Sequence, residues 1–246
     1  MDANNLILIA ALMAVAAALY SSVGHGGASA YLAIMALFSV APETMRPTAL
    51  ALNLVVAGLG AFSFARRGQT NWRLFAAFAV TAAPAAYLGG MVELPPHIYR
   101  PLVGTVLLAA AARLFWQPER LAARPVSRPP LAVTLPAGAG LGLLAGLTGT
   151  GGGIFLSPLI ILFGWEEARK TSGVAAAFIF INSASGLLGN LSSVRALPPE
   201  LPLLVGAVAI GAVAGTWAGL YRLPRERLLQ ALGLVLVIAG LKLVFQ

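Results

Sequence analysis

The sequence predicts an all-α polytopic membrane protein made of two inverted repeats. Three observations predict it. Apolar residues fill 59% of the 246 positions while only 10% are charged. Ten apolar runs follow one another along the chain, and the second five repeat features of the first five. A soluble domain is about 45–50% apolar with charge near 25%. The 16 basic and 8 acidic residues here cannot cover the surface of a soluble protein of this size. That excludes a soluble globular enzyme, a disordered chain and a nucleic-acid module. The net charge of +8 would suit a polyanionic partner, yet there is no soluble domain to present it. In a membrane protein an excess of Lys and Arg marks cytoplasmic loops. Cysteine is absent, so disulfides, iron–sulfur clusters and thiol chemistry are excluded.

The elements follow in order. The first run, 6–22, is preceded by Asp2 and by no basic residue. A secretory signal starts with a basic region, so this run is read as a retained span. The first half continues with runs at 29–40, 47–65, 74–91 and 98–116; the second has 131–147, 154–164, 171–190, 201–220 and 228–245. Most are long enough to cross a hydrocarbon core of about 30 Å. Runs 29–40 and 154–164 reach only about 16–18 Å as helix, so they are expected to be half-helices or parts of re-entrant hairpins. Eight to ten helical segments result. The stretch 117–130, QPERLAARPVSRPP, holds four prolines and reads as a cytoplasmic linker between a first membrane repeat (1–116) and a second (131–246).

An offset of 129 pairs Leu94-Pro95 with Leu223-Pro224, Asn53 with Asn182, Gly60 with Gly189, Gly90 with Gly219, Gly104 with Gly233, and Arg113 with Lys242. Upstream, Gly24-His25-Gly26-Gly27 pairs with Gly149-Thr150-Gly151-Gly152 at an offset of 125. One offset serving several unlike residue types indicates duplication. With the N-terminus outside, 12 of the 16 basic residues fall in inside loops, and only Arg46, Arg100, Arg195 and Lys242 fall outside. This bias puts both termini on the outer side. Each half then crosses an odd number of times, so the halves are inverted, a recurrent transporter plan. Trp72, Trp116, Trp165 and Trp217 fall near the inside boundary and suit an aromatic belt.

The strongest local feature is the paired glycine loop, VGHGGAS at 23–29 and LTGTGGGI at 147–154. Each lies between an apolar run and a half-helix. Free N–H groups and the positive dipole end at a helix start form an anion site made of backbone. The candidate substrate-binding residues are therefore Gly24, His25, Gly26, Gly27, Gly149, Thr150, Gly151, Gly152 and Gly153. The bland alternative is that these glycines only let helices pack closely. Asn53 and Asn182 each sit inside an apolar run, where a buried amide must find partners; each either bonds substrate or braces the neighbouring loop. Thr148, Thr150, Ser22, Ser29 and Ser183 add hydroxyls, which in membrane helices usually bond their own backbone. His25 is the one histidine near a loop centre. Arg46, Arg169 and Lys170 follow the half-helices as entrance or boundary charges. No apolar run holds a carboxylate in its middle, which speaks against a proton relay through buried acids or a carboxylate-caged cation. No catalytic residue, metal or cofactor is expected.

These residues resemble the TauE/SafE family of sulfite and organosulfonate exporters, also known as the 4-toluene sulfonate uptake permease family. The resemblance covers nearly the whole chain. It rests on the two-fold repeat, each copy opening with a GxGGG-like loop, then a short apolar helix, then a Thr/Ser-and-Asn-bearing span. The second copy, GTGGGIFLSPLIILFG with Lys170-Thr171-Ser172 and Asn182, is the closer match. In the first, His25 fills the variable place, Ala28 replaces the last glycine and no proline matches Pro158. The resemblance implies a multi-pass inner-membrane carrier of small, often sulfur-containing, anions. The reading is a secondary transporter, not an enzyme, working by alternating access around a central site. The rivals are an anion or neutral-solute channel, an intramembrane serine hydrolase using Ser185 and His25, and a structural subunit with no site. The partners expected are a small anion and the lipid bilayer, with a homo-oligomer left open and no nucleic acid.

Overall fold

The computed structural model describes residues 3–22, 24–115, 126–191, 197–218 and 225–245. Every expected run becomes a helix: α1 (Ala3–Ser21), α2 (Ala28–Leu37), α3 (Pro42–Arg66), α4 (Trp72–Met91), α5 (Pro96–Phe115), α6 (Leu131–Thr148), α7 (Gly153–Leu162), α8 (Ala168–Gly189), α9 (Leu201–Ala218) and α10 (Arg225–Phe245). Among the described residues there is no strand. Among the described residues four helices, α3, α4, α6 and α8, are long and apolar enough to cross a membrane. The chain is an all-helical polytopic membrane protein. Most of the 117–130 linker lies outside the described residues, as do Trp116, Arg195, Gly219, Arg222 and the Leu223-Pro224 pair.

The helix α3 starts five residues before its apolar run. Pro42 occupies its first turn, where the missing N–H costs nothing and the fixed φ favours the helix. Helices α2 and α7 have 10 residues each, about 15 Å of rise. They are built alike at both ends. Each is N-capped by a left-handed glycine, Gly27 at φ 94 and Gly152 at φ 76. Each stops at a left-handed residue, Ser39 at φ 57 and Gly164 at φ 65. The next amide then closes back over the last turn, Val40 N to Met35 O and Trp165 N to Ile160 O, both at 2.9 Å. This C-terminal closure satisfies carbonyls that lipid could not. At the end of α2 the Lys242 ammonium of α10 also donates to Ala36 O at 3.0 Å, Leu37 O at 3.1 Å and Ser39 Oγ at 3.0 Å.

The closest helix pairs are α4 with α6, α1 with α9, and α5 with α10, followed by α4 with α8 and α3 with α8. Exchanging α1–α5 with α6–α10 turns the α4–α6 pair into α9–α1 and leaves α5–α10 and α3–α8 as themselves. Glycines set the two peripheral seams. A Cβ on Gly138, Gly142 or Gly146 of α6 would overlap the carbonyls of Phe78, Ala82 or Ala86 on α4. On α9, Gly211 and Gly215 meet Ala14 O and Ala18 O of α1 in the same way. Four-residue spacing of small residues lets backbones touch where lipid offers no hydrophobic drive.

Two apolar cores result. The larger draws on α1, α2, α3, α5, α9 and α10 with Ile154 of α7; the smaller on α4, α7 and α8. Trp165 belongs to the smaller core, buried between the rings of Phe163 and Phe78 at 5.0 and 6.1 Å. It is therefore a packing residue and not a member of an aromatic belt, whereas Trp72 and Trp217 are exposed as a belt requires.

Candidate functional site

The two glycine loops come together on α3 and α8. Gly24 and Gly149, paired at the offset of 125, have φ 75 and 84. Gly27 and Gly152 are likewise both left-handed; Gly151, at φ 73, has no such counterpart in Gly26. Five of these positions thus require the freedom that only glycine has without strain. Each loop leans on the opposite half. A Cβ on Gly24 would lie 2.6 Å from Ser172 of α8, and one on Gly149 would lie 3.1 Å from the Arg46 carbonyl of α3.

At the centre is Asn53, fully buried on α3. Its Oδ1 accepts from Ala28 N, the first amide of α2, at 3.1 Å. A Cβ on Gly26 would overlap that Oδ1, and a Cβ on Gly151 would lie 2.6 Å from Asn53 Nδ2. The amide therefore stands between the loops, bracing one with its oxygen and facing the other with its nitrogen. Both glycines also approach the same Ile179 methyl carbon of α8, each built Cβ at 2.9 Å. One turn further along α8, Ser183 Oγ is 3.3 Å from the Gly151 Cβ position. Gly153 packs on Ile179 as well.

Several polar atoms here have no partner. Asn53 Nδ2, Ser183 Oγ, both amide atoms of Asn182, and the hydroxyls of Thr48 and Thr171 are buried and unbonded among the described residues. All lie on α3 or α8. Buried polar atoms are nearly always satisfied, and intramembrane polar groups without partners point to a site. Among the described residues the amides of Gly26, Gly27, Gly151 and Gly152 donate to no backbone carbonyl. The cluster thus offers neutral donors and no carboxylate.

The matched asparagines do not act alike. Asn182 is fully buried with both amide atoms unbonded among the described residues, and it is the next residue, Ser183, whose hydroxyl is among the nearest neighbours of Gly151. Thr150 is turned to its neighbour, its hydroxyl 2.9 Å from Thr148 Oγ1, and Thr148 bonds Leu144 O at 2.7 Å. His25 is half-buried and edge-on to Tyr20, ring centroids 6.4 Å apart. Ser29 bonds the Tyr20 hydroxyl at 2.8 Å, and Ser22 bonds Leu19 O at 2.7 Å.

Arg46 differs most from expectation. It is not an entrance charge but a buried side chain. Its guanidinium closes the end of α4 through Val92 O at 2.7 Å and Gly90 O, while Nε has no partner. The backbone and Cγ of Arg46 lie against Gly149, the first glycine of the second loop, while its charge is spent on the end of α4. The sequence missed this because a basic residue after a half-helix reads as a boundary charge. Arg169 and Lys170 are exposed, as such charges should be.

Residues 8–243 match the family model for the sulfite exporter TauE/SafE. The chain is 38% identical over 248 residues, covering all of both chains, to "Probable membrane transporter protein y4hK" of Sinorhizobium fredii (strain NBRC 101917 / NGR234). It is 27% identical to "Probable membrane transporter protein YjnA" of Bacillus subtilis (strain 168), over 92% of this chain and 95% of that one. No solved structure matches it. A multi-pass helical chain with these relatives is a membrane transporter, and it belongs to the sulfite exporter TauE/SafE family.

Proposed function

We propose that this protein is a secondary transporter for a small sulfur-containing anion, sulfite or a sulfonate, and that the two glycine loops form its central site. The observation that carries this reading is the pair of unspent donors, Asn53 Nδ2 and Ser183 Oγ, facing Gly151 in a buried cluster without carboxylates. A tetrahedral or pyramidal oxyanion accepts hydrogen bonds and donates none when ionised. Fixed neutral donors and helix N-termini replace its water shell at little reorganisation cost. A cation would meet N–H and O–H groups of the wrong polarity.

Inverted repeats with alternating access complete the proposal. They are supported by the matched construction of α2 and α7 and by the exchange of helix pairs between halves. The bias of basic residues supports both termini outside.

The test is uptake into proteoliposomes of labelled sulfite, sulfate, thiosulfate, sulfonates and small carboxylates, with and without a pH gradient. Saturable flux of one anion class is expected. Gly26→Val and Gly151→Val are expected to abolish it in protein that still inserts. Normal flux in both variants would remove the loops from the site, and flux that never saturates would make the protein a channel.

A further inference from the structure

One end of the molecule gathers the α3–α4 turn and the starts of α6 and α8. Gly173 of α8 packs on Gln69 and Thr70 of that turn. Ser127 N donates to Gly164 O at 2.8 Å, which holds the segment before α6 against the end of α7. Between this segment and α4 runs a groove of about 680 Å³, separate from the glycine loops. Its lining includes Leu74 and Trp165, both buried, and Val80 and Leu135, both exposed. Arg73 and Arg128 line its polar end. Both are exposed, and neither has an ion pair or hydrogen bond among the described residues. Asn71 also lines the groove. Its amide donates to Glu166 Oε2 at 2.5 Å, and Glu166 Oε1 accepts from Glu167 N at 3.0 Å, so both oxygens of that carboxylate are engaged.

We propose that this groove binds an anionic phospholipid, its phosphate between Arg73 and Arg128 and its acyl chains along Leu74, Val80 and Leu135. Two guanidinium groups on one groove, neither ion-paired among the described residues, create a field that a phosphate relieves, and guanidinium matches phosphate geometry. From Arg73 to Val80 the wall descends about 10 Å along the helix, so a charged mouth opens onto an apolar channel. A soluble anion would use only the mouth. A zwitterionic lipid would bring an ammonium against the arginines. Basic pockets between membrane helices are where anionic headgroups collect.

Native mass spectrometry of the full chain in detergent, titrated with phosphatidylglycerol and with phosphatidylcholine of the same acyl chains, tests the proposal. The wild type is expected to hold phosphatidylglycerol roughly tenfold or more tighter, as two basic residues near a headgroup imply. Arg73→Gln with Arg128→Gln should bring the two lipids to parity. Arg66→Gln with Arg67→Gln removes the same charge from exposed residues outside the groove and should leave the preference intact. Equal retention of both lipids by the wild type, an unchanged preference in the groove variant, or an equal loss in the control variant would overturn the site. So would glycerol phosphate binding as tightly as the whole lipid.

Discussion

Asn53 shows how one side chain can serve two loops. Its oxygen is committed to Ala28 N, which leaves its nitrogen for whatever lies against Gly151. Ser183 is the more telling residue for an experiment, because its buried hydroxyl has no partner. An unsatisfied buried hydroxyl destabilises the fold. Ser183→Ala should therefore leave thermal stability unchanged or raise it. The same change should weaken anion binding by about 10- to 100-fold, since a hydrogen bond to a charged group is worth about 1.5–3 kcal/mol. The KM for flux, measured alongside the unfolding temperature, reads both effects. A fall in stability with unchanged KM would make Ser183 a structural residue. In the sequence Ser183 carries little weight for a sound reason: hydroxyls in such helices normally bond a carbonyl one turn back, as Thr148 and Ser157 do. Its place one turn from Ile179 on α8 is the signal that ties it to Gly151.

At the scale of elements, the half-helices and the seams have different origins. The half-helices were legible because a glycine loop and a short apolar run appear twice in register. The glycine spacing on α6 was visible too, but not its partner, since a small-residue stripe shows which face packs and not against what. The seam predicts a sharp contrast. At Gly142 a Cβ would overlap the Ala82 carbonyl, whereas at Gly140, on the same helix, nothing lies within 4 Å. Gly142→Leu should cost at least about 1–3 kcal/mol through overpacking and lower the unfolding temperature in detergent. Gly140→Leu carries the same gain in helix propensity and should not lower it. Equal behaviour of the two variants would mean the seam does not hold α4 and α6 together.

At the scale of the molecule, the closest helix pairs join the two halves of the chain. Helices α9 and α10 share the larger core with α1, α2 and α5. Residues 1–116 and 131–246 are therefore expected to be unstable when expressed singly, because each would expose glycine seams and lack the helices that cover them. Expressed together as separate chains, they should co-purify through a tag on one of them. Recovery of either half alone as a folded, monodisperse protein would show that the halves are independent bundles. For the same reason, any rocking motion between sequence halves must break these seams. If access alternates as proposed, bodies that keep α1 with α9 and α4 with α6 would avoid that cost and put the sliding surface at the α3–α8 crossing, beside Asn53 and Ser183.

Composition and periodicity by themselves determined that this chain is a bundle of helices in a membrane, where the helices lie, and that two glycine loops open two short ones. Hydrocarbon leaves a chain this apolar few other ways to satisfy its backbone, so those features are written locally. Only the tertiary structure decided that both loops meet at Asn53, that Arg46 is buried beside Gly149, and that α6 closes on α4 and α9 on α1. Each of these depends on which helix faces which, and spacing along a single helix carries no information about its neighbour.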